Sequence, residues 1–451
     1  MNNLLTLKDS ENVDVLFCDA FDHNEGEPNH GLFQMFQFFK RSVGKKSIYV
    51  NTLESLYENN IDIFNINRFV DSNCTNVFHL TKFNTERHLR EEEVKTLSDL
   101  LISVLPNHKI LAICDLSLFE LPVLEKVIDH FKSKLLVISA VNNTWTGFCS
   151  YPEEYKCENF KNINGCTSFC PAKSSSTKEQ ESVRIKYTKI EQFIDNNKFR
   201  VFLNLGNKYS HKEANESQLF KKVKKVVIPL KNEFPNDTFE QIWSKKHSQR
   251  HLTLMKLKNN KNFNIDKIKF IMMWSAYSLN IKRKGFENFI DIMRIFKEKN
   301  ALNDLSDILL IVCGRYSNTG YIKEMKKLGL QIAPTGLIDK SIYNVLLSAS
   351  DAYCNTTISD AGPRTTYESA AMATPIISFD NCNALDFVNE ENGSLVQTYD
   401  QIGFANAIEK FMNLKQEEKK QKSKNIFSDY KNLMNSKKLA NKWKLFLNEI
   451  A

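Results

Sequence analysis

Nowhere in the 451 residues is there an unbroken apolar run of eighteen or more, which argues against a membrane-spanning helix. The opening MNNLLTLKDSENVDVLF lacks the basic flank and apolar block of a signal peptide, so a cytoplasmic protein is expected. No arginine-rich arm, no finger-type spacing of Cys and His and no RNA-recognition aromatic motif is present, so a nucleic-acid partner rests on charge alone. That charge is +8, with a pI near 8.8. It equally admits a phosphorylated substrate or peripheral association with an anionic membrane face. Glycine is scarce: the first loop, FDHNEGEPNHG, holds just Gly26 and Gly31.

What is present fits an ordinary globular chain of more than one domain, with 42% hydrophobic and 25% charged residues. Val13–Cys18 (VDVLFC), a polar loop and LFQMFQFFKRSV read as strand, loop, helix. Apolar runs at 47–51, 75–80, 110–114 and 135–139 then alternate with helical segments. This predicts a doubly wound parallel sheet of about five or six strands, in a domain over residues 1–230. Residues 231–266 are polar and rich in Lys and Asn, the character of a linker. A second domain starts at KIKFIMMWSAY (267–277), followed by a helix with Phe286, Phe289, Ile290, Met293 and Phe296 on one face.

The stretch from Ala352 to Val396 reads as strand, loop, helix, strand. Asp360 and Glu368 bracket Gly-Pro-Arg-Thr-Thr, and the run YESAAMA is helix-forming. Unsatisfied N–H groups and the dipole make the start of such a helix a seat for phosphate. On spacing alone, an ordinary βαβ unit with a capped helix is the simpler reading.

The residues themselves resemble the donor-binding signature of family 4 glycosyltransferases: Asp360, seven residues (AGPRTTY), Glu368, SAAMA, then Thr374, Pro375, Ile376 and Ile377. Asp360 with Pro363 three residues on is similar to a branch that builds bacterial surface polysaccharide. Ala373 stands where the family usually has Gly, and Cys382–Asn383 replaces a common Gly pair. Lys284-Gly285-Phe286 matches the family's Lys-Gly-Phe. An arginine usual six residues before the lysine is Ser278 here, with Arg283, Arg315 and Arg364 as substitutes to be judged by geometry. The resemblance implies that Lys284 and the N–H groups near Thr365 and Thr366 hold a diphosphate, with Gly285 and Arg364 beside them. It further implies that Asp360 orients the donor sugar and Glu368 holds the ribose.

A second similar segment runs from Ala140 to Pro171. Trp145, Thr146, Gly147, Cys149, Tyr151, Cys157, Cys166, Cys170 and Pro171 fit the bacterial family pattern, whereas Asn142 and Asn143 lie where the family carries a histidine near the reacting sugar. Asn142, Asn143 and Trp145 are therefore expected on the acceptor side. Cys149, Cys157, Cys166 and Cys170 fall within 22 residues, with seven, eight and three residues between them. A structural Cys₄ zinc site and a set of reduced or disulfide-paired thiols are equally consistent with that spacing. The remaining cysteines, Cys18, Cys74, Cys114, Cys313, Cys354 and Cys382, sit in apolar contexts typical of reduced core thiols.

The implied fold is α/β, of GT-B type: two Rossmann-like doubly wound domains facing a central cleft. Residues 1–230 would form the acceptor domain with a Cys-rich loop at 142–171, residues 267–435 the nucleotide-sugar donor domain, and residues 436–451 a helix crossing back to the first. The implied activity is retaining transfer of a sugar from a nucleotide-diphosphate sugar to a glycan, lipid-linked or other hydroxyl acceptor, with no catalytic metal required and at the inner membrane face if not free in the cytoplasm. Two rivals stand beside it: a catalytically silent binding or scaffold protein, and a glycosyltransferase acting on modified bases in DNA.

Overall fold

The computed structural model describes residues 12–19, 31–53, 68–71, 74–81, 90–116, 119–139, 142–147, 149, 151–167, 169–173, 175–230, 237–258, 264–300, 305–316 and 320–451. The chain divides into two units, Met1–Asn232 with Asn435–Ala451, and Glu233–Met434.

In the first unit the strands are β1 (Val13–Asp19), β2 (Ser47–Leu53), β3 (Arg68–Asp71), β4 (Cys74–Thr81), β5 (His108–Ile113), β6 (Lys134–Ser139), β7 (Val201–Leu205) and β8 (Lys224–Val227). They lie in the order β3-β4-β2-β1-β5-β6-β7-β8, parallel throughout except for β3 on β4. The sheet is wider than the sequence pattern predicts. Its extra edge, RFVD, is four residues long, too short for an alternation to register, and exists through its pairing with β4. Helices α1 (Gly31–Phe38), α2 (Glu91–Val104), α3 (Leu121–Phe131), α4 (Asn143–Thr146), α5 (Thr177–Asn197) and α6 (Lys208–Glu216) complete the unit. Buried parallel strands read as continuous apolar runs because both faces are covered, and Leu135, Leu136, Val137 and Ile138 are all buried.

The second unit carries α7 (Phe239–Lys258), β9 (Phe270–Ser278), α8 (Phe286–Lys299), β10 (Ile308–Arg315), α9 (Gly320–Lys327), β11 (Gln331–Gly336), α10 (Lys340–Ala349), β12 (Ala352–Asn355), α11 (Arg364–Ala371), β13 (Ile376–Phe379), β14 (Gly393–Val396), α12 (Gln401–Met412) and α13 (Gln416–Leu433). Its sheet is wholly parallel, in the order β11-β10-β9-β12-β13-β14. Counted from β9, this is the 3-2-1-4-5-6 order of the doubly wound fold, and the chain reverses direction between β9 and β12. All five of the apolar positions expected on α8 are buried, joined by Ile292.

The stretch expected as a linker departs from expectation. Residues 239–258 form a twenty-residue helix within the second unit. Polar contacts hold it there: Lys246 Nζ donates to the carbonyls of Ser348 (2.9 Å) and Ser350 (2.5 Å), and Arg250 pairs with Asp351 at 2.6 Å. Such bonds leave no apolar stripe to be read in advance.

Helix α14 (Ser436–Ile450) is part of the first unit. Trp443 is fully buried and meets the Phe39 ring edge to face at 4.9 Å, and Phe39 meets Phe17 at 5.1 Å. Leu439, Phe446, Leu447 and Ile450 bury the rest of that face, while Leu445 is 72% exposed. Among the described residues no helix is long and apolar enough to cross a membrane.

Candidate active site

Open α/β sheets bind ligands outside the carboxyl ends of their strands, where strand order reverses. In the second unit that place lies beyond β9 and β12. Two hydrogen bonds strap the loop after β12 to the turn before α8, Thr356 Oγ1 to the Gly285 carbonyl (2.7 Å) and the Ile358 amide to the Arg283 carbonyl (2.8 Å), and Trp274 Nε1 of β9 donates to Thr356 Oγ1 (2.9 Å). Gly285 has φ +71°, and a Cβ there would stand 2.0 Å from the Thr356 carbonyl oxygen. The glycine is therefore required by backbone approach. Its amide is spent on the Lys282 carbonyl at 2.8 Å, so the expected donor contact through Gly285 is corrected to a packing role.

The strap brings Lys284 and Asp360 together. Lys284 Nζ lies 2.6 Å from Asp360 Oδ2, and Arg283 pairs with the same oxygen. Asp360 Oδ1 accepts from the Gly362 amide at 3.0 Å, a local turn that fixes the carboxylate. Burial pushes the Asp360 carboxyl up, but Lys284 and Arg283 outweigh it and hold it below the ordinary carboxylate value. Of the arginines weighed for the family's missing cation, Arg283 is the one on Asp360.

Replacing Asp360 by Asn should leave two cations that are about one-sixth exposed without a counter-charge, at a cost of about 3 kcal/mol. Because the folded pKa is depressed, this stabilisation is fully present above the unfolded value near 4 and is lost as pH falls through the lower folded value. Urea midpoints of wild type and Asp360→Asn should thus differ by a constant amount around neutrality and converge below about pH 4. Equal midpoints at pH 7 would contradict the ion triad.

The same unit has a pocket of about 220 Å³ lined by Ser275, Ala276, Gly314, residues 336–338, Tyr343, Thr365 and Glu368 among others, smaller than the usual small-molecule site. Tyr343 Oη and Tyr353 Oη lie 2.7 and 3.1 Å from Ser275 Oγ. Glu368, 8% exposed, is held by Lys340 Nζ at 2.6 Å and approached by Arg364 Nε at 3.7 Å. Lys340 also sits 4.8 Å from the Tyr343 ring centre. Burial lowers the Lys340 pKa, opposed by the charge of Glu368. Sequence reasoning missed Lys340, since a lysine at a helix start reads as a solvated side chain. Arg283, Lys284, Lys340 and Arg364 against Asp360 and Glu368 leave this surface with a net charge of +2, which complements a diphosphate.

Thr365 lines the pocket, but Thr366 turns away. Its hydroxyl donates to the Pro363 carbonyl and to Asn383 Oδ1 (2.9 Å), its amide bonds Pro363 O at 3.3 Å, and its side chain is buried. The expected donor contact at Thr366 is corrected to a brace of the helix start. Asn383 Nδ2 returns a bond to the Pro363 carbonyl at 3.0 Å, so the residue that replaces a family glycine ties the acidic loop down. Ala373, the other departure, has φ +54°, the left-handed conformation that glycine adopts without strain.

In the first unit, Trp145 is fully buried in the core with Tyr187, Leu219 and Phe220. The reason is packing: the side chain belongs to the buried apolar cluster of this unit, so the expected acceptor role of Trp145 is corrected to a core role. Asn142 is also buried, with neither side-chain polar atom partnered, and its carbonyl accepts from the Trp145 and Thr146 amides. Asn143 opens α4, and its side chain lies outside the described residues. Cys18, Cys114, Cys313, Cys354 and Cys382 are buried thiols, as core cysteines are expected to be, and the Cys74 side chain lies outside the described residues. Cys149, Cys157, Cys166 and Cys170 are thiols as well. Among the described residues no group of three or more His, Cys, Asp or Glu side chains is closed into metal-ligand geometry.

The two doubly wound units are those of the GT-B fold, and the second carries a match to a glycosyltransferase domain. Residues 257–427, all within the second unit, match the model of the family glycosyl transferases group 1. Among solved structures, the chain is similar to trehalose-6-phosphate of E. coli bound with UDP-2-fluoro glucose (TM-score 0.61, 12% identity, 97% of this chain and 100% of that one). It is likewise similar to sucrose-phosphate synthase of Thermosynechococcus elongatus (0.61, 12%, 97% and 99%) and to the α,α-trehalose 6-phosphate synthase of Burkholderia multivorans (0.61, 9%, 98% and 97%). At these identities the likeness is one of fold. A sequence search of curated proteins returned no match.

Proposed function

We propose that the protein takes a sugar from a nucleoside diphosphate sugar, with UDP as the carrier, and passes it with retention of anomeric configuration to a hydroxyl of a growing surface glycan. The observation that carries this reading is the paired ion cluster: Asp360 between Arg283 and Lys284, and Glu368, which lines the pocket with Lys340, between Lys340 and Arg364. Lys284, Arg283 and the first amides of α11 take the diphosphate, Glu368 takes the ribose, and Asp360 orients the sugar while keeping both cations in place. A bound donor already contains a good leaving group once its phosphates are neutralised, so positioning and charge stabilisation supply most of the barrier lowering. Retention and the glycan acceptor rest on the family resemblance. UDP is favoured by the ligand of one structural relative.

Thermal unfolding in the presence of UDP-, GDP- and ADP-glucose tests the donor. Ligand at a hundred times its Kd stabilises the native state by about 2.7 kcal/mol, which raises the midpoint of a domain of this size by roughly 5–10 °C. UDP-glucose should give the largest shift. No shift with any of the three would support the silent-scaffold reading.

A further inference from the structure

Tyr343 lines the pocket of the second unit and is held there at both ends. Its amide bonds the Asp339 carbonyl at 2.9 Å in the first turn of α10. Its hydroxyl lies 2.7 Å from Ser275 Oγ, which Tyr353 Oη approaches at 3.1 Å. Tyr353 is 1% exposed on β12 and also donates to the Ser275 carbonyl at 3.3 Å. The Lys340 ammonium lies 4.8 Å from the centre of the Tyr343 ring, a cation–π contact. Moving the ring would break the bond to Ser275 and leave hydroxyl groups unpaired, which is costly away from water. The ring is therefore a fixed wall of the pocket.

The opposing strand ends give way no more easily. A Cβ at Gly314 would stand 2.2 Å from the Ala276 carbonyl oxygen, so the ends of β9 and β10, both on the pocket, are already in close approach. The enclosed volume is about 220 Å³, a space for a small planar group and not for a whole nucleotide sugar. Leu337 and Ile338 border the same space, and among the described residues neither spends its backbone N–H or C=O on a hydrogen bond. A ligand that covers this loop has to pair those groups, because buried backbone donors and acceptors are rarely left alone. The edge of a nucleobase, with donors and acceptors side by side, complements them.

Glu368 lines the pocket too. With its carboxylate on the ribose, as in the reading under Proposed function on which this inference rests, the base is one bond away. We propose that the donor's base enters this pocket against Leu337 and Ile338, and that Tyr343 is the residue that limits it to a single ring, so that a pyrimidine is accepted and a purine excluded. The second ring of a purine needs the volume that the phenol fills. Rejection by such a clash gives specificity without any added attraction to the right base.

Calorimetric titration with UDP-, GDP- and ADP-glucose separates choice of base from donor binding as such. Wild type should bind UDP-glucose about tenfold or more tightly than either purine donor. Tyr343→Ala should shrink that ratio by about tenfold, because the space it opens accepts the second ring. A loss of folded protein common to all three ligands does not move the ratio. Tyr343→Phe, which keeps the ring, should keep the preference. If Tyr343→Ala does not fold, wild type decides: GDP- or ADP-glucose bound as tightly as UDP-glucose would overturn the proposal. A ratio unchanged in Tyr343→Ala would overturn it as well, while leaving the donor reading intact. Failure of all three to bind wild type would overturn the donor reading and this inference with it.

Discussion

Lys284→Ala is expected to lower turnover on a verified acceptor by about 10²–10³-fold, the usual loss when a preorganised charge contact to the transition state is removed. Donor affinity should fall far less. On the proposed reading Lys284 would meet charge that grows on the diphosphate as the glycosidic bond breaks, whereas Arg283 would remain on Asp360 to hold the ground-state phosphates. The same pairing should keep the loop in place, so the urea midpoint should move less than in Asp360→Asn. Steady-state kinetics alongside calorimetric donor binding separates the two effects. Full activity in Lys284→Ala would remove the leaving-group role from this position.

Glu368→Gln should show the opposite split. A ribose contact is made equally in the ground and transition states, so its loss raises KM and Kd while kcat is nearly unchanged. A hydrogen bond to a charged group contributes about 1.5–3 kcal/mol, so UDP-glucose binding should weaken by roughly 10–100-fold. Glu368 is also the partner of Lys340 at 2.6 Å, and Lys340→Met should weaken binding in the same direction by letting the carboxylate swing. UDP-glucose that binds Glu368→Gln as tightly as wild type would show that this carboxylate serves the fold and not the donor.

Five of the residues expected at the donor site, Lys284, Asp360, Arg364, Thr365 and Glu368, stand on the acidic loop, the turn before α8 and the first turns of α11. Spacing places each at a helix start or a strand end, and the resemblance to the glycosyltransferase signature, not the spacing, is what singled them out. Lys340 and Arg283 were harder to see. A lysine after Asp339 and an arginine between two lysines carry no signal of their own, and they matter through carboxylates 28 and 77 residues away. Thr366 and Trp145 failed in the opposite sense. Both lie in recognisable patterns, yet one hydroxyl points back to Asn383 and one indole points into the core.

Apolar runs with turn residues between them determine that this chain makes two parallel sheets covered by helices, because a strand buried on both faces must be apolar along its whole length and that requirement is local. Helix α8 was likewise readable, since its buried residues recur every three or four positions. Which side chains confront one another was decided by the tertiary structure. The reversal of strand order between β9 and β12 brings the turn before α8 to the loop after β12, and the bonds among Trp274, Thr356 and Gly285 hold the two together. Helix α7 likewise rests on bonds from Lys246 and Arg250 to distant backbone and carboxylate oxygens. Hydrogen bonds and ion pairs between residues far apart in the chain have no period, so their partners emerge when packing brings the segments into contact.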